Sequence, residues 1–237
     1  MPNNRSLVVC LLTAFCFGGA AASSHAQAVL VSNLSQATSA DTTLFTASTD
    51  RFAQAFTTDG QTRTLADIAL NLELQDTAVS ASDVLSLTLN SDGQGVVGGF
   101  LFNNSQPSAT LAPLGNATVN SATSATYFFS AAASVTLAPN TTYWIVARDT
   151  GAASNISWDI ENGAAVTGTG TLPTNSIASS GDGGSTWSVG ATTLGPQKFQ
   201  VRYVVASVPE TATLPLLLLG ALPLLARRRC SSASSSI

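Results

Sequence analysis

Apolar side chains recur at every second position in four separate stretches of this 237-residue chain. Ile68, Leu70, Leu72 and Leu74 alternate with Ala69, Asn71 and Glu73, and Leu85, Leu87 and Leu89 with Ser86 and Thr88. Ile156, Trp158 and Ile160 alternate with Ser157 and Asp159, and Phe199, Val201, Tyr203 and Val205 with Gln200, Arg202 and Val204. Successive side chains of a strand point to opposite faces, so each stretch predicts a strand with one apolar face. The run from Tyr143 to Ala147 is apolar throughout and predicts a central strand covered on both faces. Residues 29–208 reinforce this: Ser and Thr fill 48 of the 180 positions, against one Lys and two Glu, a balance that favours strands and turns over helices. Asp92-Gly93, Pro139-Asn140, Asp149-Thr150-Gly151, Asn162-Gly163 and Asp182-Gly183-Gly184 read as tight turns between strands. Roughly eight to ten strands with short connections predict an all-β fold, an antiparallel β-sandwich of jelly-roll or immunoglobulin-like type, in one domain. A chain of this length can bury such a core without disulfides.

The two ends have a different chemistry. Every cysteine (Cys10, Cys16, Cys230), the one histidine (His25) and the one methionine (Met1) fall in the first 28 or last 29 residues. Residues 29–208 therefore have no Ser-His-Asp or Cys-His nucleophile system, no zinc site of the usual kind and no disulfide framework. With five basic and twelve acidic side chains they carry an excess of seven negative charges and offer no nucleic acid a basic face. At the N-terminus, Arg5, an apolar run from Leu7 to about Ala22 and the sequence His25-Ala26-Gln27-Ala28 follow the order of a secretory signal. Ala26 and Ala28 stand where signal peptidase requires small residues, so cleavage after Ala28 is expected. Near the C-terminus an apolar run from Ala212 to Ala226, short for a transmembrane helix, ends at Arg227, Arg228 and Arg229. That cluster holds the tail on the cytoplasmic side and leaves the body outside the membrane. The expected organisation is a signal peptide (1–28), a β-sandwich (29–207), a sorting signal with its span (208–229) and a short cytoplasmic tail (230–237).

Val208-Pro209-Glu210, the Ala-Thr-Leu entry into the leucine-rich span and the arginine cluster together resemble the PEP-CTERM sorting signal of Gram-negative, exopolysaccharide-producing bacteria. Thr211 stands where the motif's second proline usually stands. The resemblance implies recognition by an exosortase-like membrane protease and passage from the inner membrane to the cell surface or exterior. Gln54 to Thr58, Leu87 to Gly93 and Leu137 to Val146 resemble the choice-of-anchor extracellular domains of bacteria, which implies a surface-displayed β domain over residues 30–205 and no catalytic residue.

Four constellations in the body bear on chemistry. Ser180-x-Asp182-x-Gly184-x-Thr186-Trp187 matches the Asp-box pattern, a hairpin in which the aspartate accepts backbone N–H bonds and the tryptophan packs beneath. Trp144 and Trp158 are expected in the core, whereas Trp187, following a glycine-rich turn, is the candidate for stacking on a sugar. Asp159 and Glu161 share one strand face, the arrangement a glycoside hydrolase would use, though a solvated strand face is the plainer reading. Asn90 to Gly95 has the oxygen-rich opening of a calcium loop but lacks its spaced carboxylates, and reads as a tight turn. The function expected is that of an exported, non-enzymatic structural or adhesive protein in an exopolysaccharide or biofilm setting, without a required cofactor. A carbohydrate-binding module is the alternative, and a glycoside hydrolase a more distant one.

Overall fold

The computed structural model describes residues 26–75, 83–97, 100–151, 155–162, 165–173, 175–190 and 195–205. Most of the signal peptide, the Val208-Pro209-Glu210 motif, the apolar span and Arg227 to Arg229 lie outside the described residues. Among the described residues, the chain forms fourteen strands and no helix. They are β1 (Gln27–Ser32), β2 (Thr38–Leu44), β3 (Arg51–Thr57), β4 (Arg63–Leu74), β5 (Val84–Val97), β6 (Phe100–Thr118) and β7 (Ala125–Phe129). The second half adds β8 (Thr136–Leu137), β9 (Thr142–Asp149), β10 (Ile156–Glu161), β11 (Thr167–Gly168), β12 (Ile177–Ser180), β13 (Ser188–Gly190) and β14 (Phe199–Val204).

All pairings are antiparallel, and they build two sheets. The first has the order β11-β1-β14-β4-β10-β2, with β7 and β8 also paired to β4; the second runs β13-β12-β3-β9-β5-β6. Between them lies one core, to which the first sheet contributes Ile68, Leu70, Leu72, Ile156, Trp158, Phe199 and Val201 and the second Phe56, Leu85, Leu87, Leu89 and Ile145. These are the period-two residues of the sequence, and the architecture is consistent with a β-sandwich. Phe56 stacks on Tyr143 at 5.8 Å between centroids, and Phe45 meets Phe52 edge-on at 4.8 Å. β9 is central in its sheet and buried from Tyr143 to Ala147. Its outer-facing Ala53, Trp144, Val146 and Ala178 neighbourhood forms a second, smaller apolar cluster that Trp187 and Val189 cover.

Two differences from the sequence reading have physical causes. The strand count exceeds ten because β8, β11 and β13 are edge pieces of two or three residues, too short to show any alternation. Asp92-Gly93 is no turn: it lies inside β5, where Asp92 pairs with Pro107 and Gly93 with Gln106. A Cβ on Gly93 would come within 2.5 Å of the Ser108 Cβ, so glycine serves close cross-strand approach here. Register shifts on both sides of Asn90 absorb the polar residues into the ladder. The Asn90 to Gly95 segment is therefore strand, and the calcium-loop reading falls with the turn. By contrast, Asn140 adopts a positive φ of 48° in the turn after Pro139, as expected of that pair. β1 begins at Gln27, so cleavage after Ala28 would remove its first two residues and leave the ladder from Val29 to Ser32 against β14.

Candidate functional site

A groove of roughly 550 Å³ crosses the outer face of the second sheet. Strand register explains what lies on its floor. Cross-strand partners share a face, so Ser180, Arg51, Arg148 and Ser86 form one lateral row over β12, β3, β9 and β5. The next row is Ala178, Ala53, Val146 and Thr88, and the third brings Ala55, Trp144 and Asn90 together. The floor thus grades from cationic through apolar to amide. Asn90 is held rigidly: its Nδ2 donates to the Ser108 carbonyl at 2.9 Å and its Oδ1 accepts from Thr88 Oγ1 at 2.8 Å. Trp144 is fully buried under this face and donates its indole N–H to Asp92 Oδ1 at 2.8 Å.

Gln106, Pro107, Ser108 and Thr110 of β6 form one wall, and the β12–β13 connection forms the other, with Gly183, Gly184, Ser185 and Trp187. That connection has the hairpin chemistry expected of the Asp box. Asp182 Oδ1 accepts from the Thr186 N–H at 2.9 Å and from Ser180 Oγ at 2.7 Å, Oδ2 accepts from Thr186 Oγ1 at 2.6 Å, and Ser180 Oγ accepts from the Gly184 N–H at 2.8 Å. The bonds from Thr186 above all hold this carboxyl far below the usual carboxylate range. Gly183 and Gly184 take φ values of 79° and 92°, and a Cβ on Gly184 would sit 3.5 Å from Trp187 Cζ2. The aspartate therefore braces the loop, and the loop carries the tryptophan. Trp187 is half-buried: it packs on the Ala53, Trp144, Val146 and Ala178 cluster and also lines the groove.

Asp159 and Glu161 lie on the other sheet. Both are completely buried, which overturns their reading as a solvated strand face. The cause is position. β10 is internal, flanked by β2 on one side and on the other by β4 and the chain entering β14, where Glu161 N–H bonds the Pro196 carbonyl and Lys198 N–H the Asp159 carbonyl. Ser124 donates its hydroxyl to Asp159 Oδ2. Lys198, 5 % exposed, anchors its ammonium on the Gln36 carbonyl at 2.9 Å and Thr38 Oγ1 at 3.0 Å. Both Glu161 carboxyl oxygens lack a hydrogen-bond partner among the described residues. Burial pushes the Glu161 carboxyl up to about 7, against the opposing pull of the nearby Asn33 amide and the Lys198 charge. Burial raises Asp159 as well, opposed by Ser124 and Lys198. An environment that raises a carboxyl pKa is thus present. No sugar can touch either carboxylate where they stand, and neither lines the groove.

Of the residues singled out in the sequence, the structure brings Trp187, its Asp-box neighbours Gly183 and Gly184, and Asn90 to the groove, while Trp144 and Trp158 are core as expected. Arg51 and Arg148 escaped notice because only the β3–β9 register makes them neighbours. Among the described residues no group of three or more His, Cys, Asp or Glu could hold a metal ion. In comparisons with known proteins, no family model, curated protein or solved structure matched the chain.

Proposed function

We propose that this is an exported, non-enzymatic β-sandwich of jelly-roll or immunoglobulin-like type that acts at the cell surface by binding glycan in the groove of its second sheet. The adhesive role and the carbohydrate-binding role then become one. The observation that carries the reading is Trp187, whose ring is braced by the Asp182 loop and packed on an apolar floor while it lines a groove otherwise rich in Ser, Thr, Asn and Gln. Ligand sites of this kind combine an aromatic surface with a few fixed polar groups. Fixed donors and acceptors such as Asn90 would meet sugar hydroxyls without further ordering.

Delivery would follow the ends of the chain. Signal peptidase acts at Ala26 to Ala28, Arg227 to Arg229 stop the C-terminal span in the inner membrane, and an exosortase-like protease releases the body at Val208-Pro209-Glu210 to the surface or its exopolysaccharide. One experiment reads both halves of the proposal. Cells expressing the full chain are fractionated, and the medium is passed over the organism's own polysaccharide. The expected result is intact protein at the membrane and a shortened, retained form outside. Trp187→Ala should be exported equally and retained at least about tenfold less, a loss on the order of 1–3 kcal/mol for one stacking contact. Equal retention of Trp187→Ala would refute the groove as the binding face, and an outside form that keeps its C-terminus would refute exosortase release.

A further inference from the structure

The groove contains two arginines and no carboxylate. Arg51 and Arg148 are direct cross-strand partners in the β3–β9 ladder. Like charges placed directly opposite in an antiparallel pair are destabilising. The pairing is unexpected in a chain whose formal net charge is −4.

The remaining basic residues of the body have acidic neighbours. Arg63 pairs with Asp59 at 2.7 Å, and Arg202 makes a two-pronged contact with Asp67 at 2.7 Å for each bond. Lys198 sits among Asp159 and Glu161. Among the described residues Arg51 bonds through Nη1 alone, to the Ser48 and Asp50 carbonyls at 2.8 Å each. Arg148 has neither a hydrogen bond nor an ion pair with the described residues, and its side chain is exposed. Burial first, and Arg148 second, draw the Arg51 guanidinium below its ordinary value, while Asp50 and Asp149 act in the opposite sense. Those two carboxylates have other commitments. Asp50 Oδ2 accepts the N–H groups of Thr46 and Ala47 at 2.9 Å each, and Asp149, 1 % exposed, accepts the Gly151 N–H at 2.7 Å.

Resting on the glycan-binding reading above, we propose that the ligand is an anionic polysaccharide, whose sugar carboxylate or sulfate groups are received by Arg51 and Arg148 while Trp187 stacks on a sugar ring. An anion between the two guanidiniums removes their mutual repulsion and gains forked, charge-assisted bonds that a neutral hydroxyl cannot match. Binding an acidic polymer also explains why an acidic protein keeps two of its five body cations side by side: overall charge would repel the polymer, and a local cationic row restores the attraction.

The test is affinity electrophoresis of the full chain, purified in mild detergent, through gels containing polygalacturonate or neutral dextran. Polygalacturonate should retard the protein with at least tenfold higher affinity than dextran. Arg148→Gln should lose at least tenfold of that affinity while its melting temperature stays equal to or rises above the wild type's, because the repulsion on Arg51 is relieved, and Arg148→Lys should recover part of the affinity. Arg202→Gln, which changes net charge equally outside the groove, should keep the wild-type affinity. Equal or stronger retardation on dextran, with Arg148→Gln unchanged, would overturn the anionic assignment and leave glycan binding standing. An equal loss in Arg202→Gln would reduce the effect to overall charge and overturn it too. No retardation of the folded protein on either polymer, together with no retention on the native polysaccharide, would sink both readings.

Discussion

Replacing Trp158 with alanine should lower the unfolding free energy by about 3–5 kcal/mol, the usual range for removing a large aromatic side chain from a packed core. The indole is fully buried between the sheets, and Trp158 pairs with Leu72 in β4 and with Thr43 in β2. Its N–H donates to the Lys198 carbonyl at 2.9 Å, tying β10 to the start of β14. That carbonyl also accepts the Asn71 N–H at 3.3 Å and so is not orphaned by the change. The larger part of the loss is therefore the cavity and the lost apolar burial. Trp158→Phe separates the two contributions: it keeps most of the volume, drops the hydrogen bond, and should cost about 1–2 kcal/mol. Since domains are stable by only about 5–15 kcal/mol, the alanine variant should be close to unfolding at 37 °C. Urea unfolding followed by circular dichroism measures both. A Trp158→Ala loss below about 1 kcal/mol would contradict the position of this residue in the core.

Glu161 sets a pH dependence of the opposite sign to that of a salt-bridged carboxylate. Its folded-state value, about 7, lies above the ordinary 4.5. Below pH 4.5 the side chain is protonated in both states and its contribution is at its most favourable. As pH rises from 4.5 to 7 the unfolded chain ionises freely while the folded one resists, so stability falls through that window and levels off above it. At 1.36 kcal/mol per unit, a rise from 4.5 to about 7 makes the fall about 3 kcal/mol. Glu161→Gln keeps the shape and removes the titration. It should match the wild type near pH 4.5, exceed it by about 3 kcal/mol at pH 8, and flatten the profile between. Thermal unfolding over pH 4–8 reads this directly, and parallel profiles for wild type and Glu161→Gln would contradict the assignment. The same variant leaves the groove untouched, so glycan retention should not change.

The core was readable in the sequence because burial on one face of a strand forces alternation, and Ile68 to Leu74, Leu85 to Leu89 and Phe199 to Val201 all show it. The Asp box was readable for a related reason, since its bonds join residues four or fewer positions apart. Neither Asp92-Gly93 nor Asp159 could be read that way. A local turn signal loses to the ladder when a long neighbouring strand pairs across it, as β6 does with β5. Likewise, alternation reports only the face that meets the apolar core. The opposite face of β10 meets polar groups from distant segments, Ser124 and a Lys198 held by the Gln36 carbonyl and the Thr38 hydroxyl, which leave no period in the local sequence. The groove lies still further from local reading. Its cationic row exists only because β3 pairs with β9, and neither arginine has a neighbour in sequence that marks it.

Stacking of glycan on Trp187, as proposed, is measurable without labels through the three tryptophans. Trp144 and Trp158 are fully buried, and Trp187 alone is partly exposed. Acrylamide quenching of the intrinsic fluorescence should therefore come mainly from Trp187. Adding saturating polygalacturonate should protect that emission and shift it to shorter wavelength, and Trp187→Phe should remove both responses. Quenching that is unchanged by saturating glycan, or a response that survives in Trp187→Phe, would contradict stacking of the glycan on Trp187.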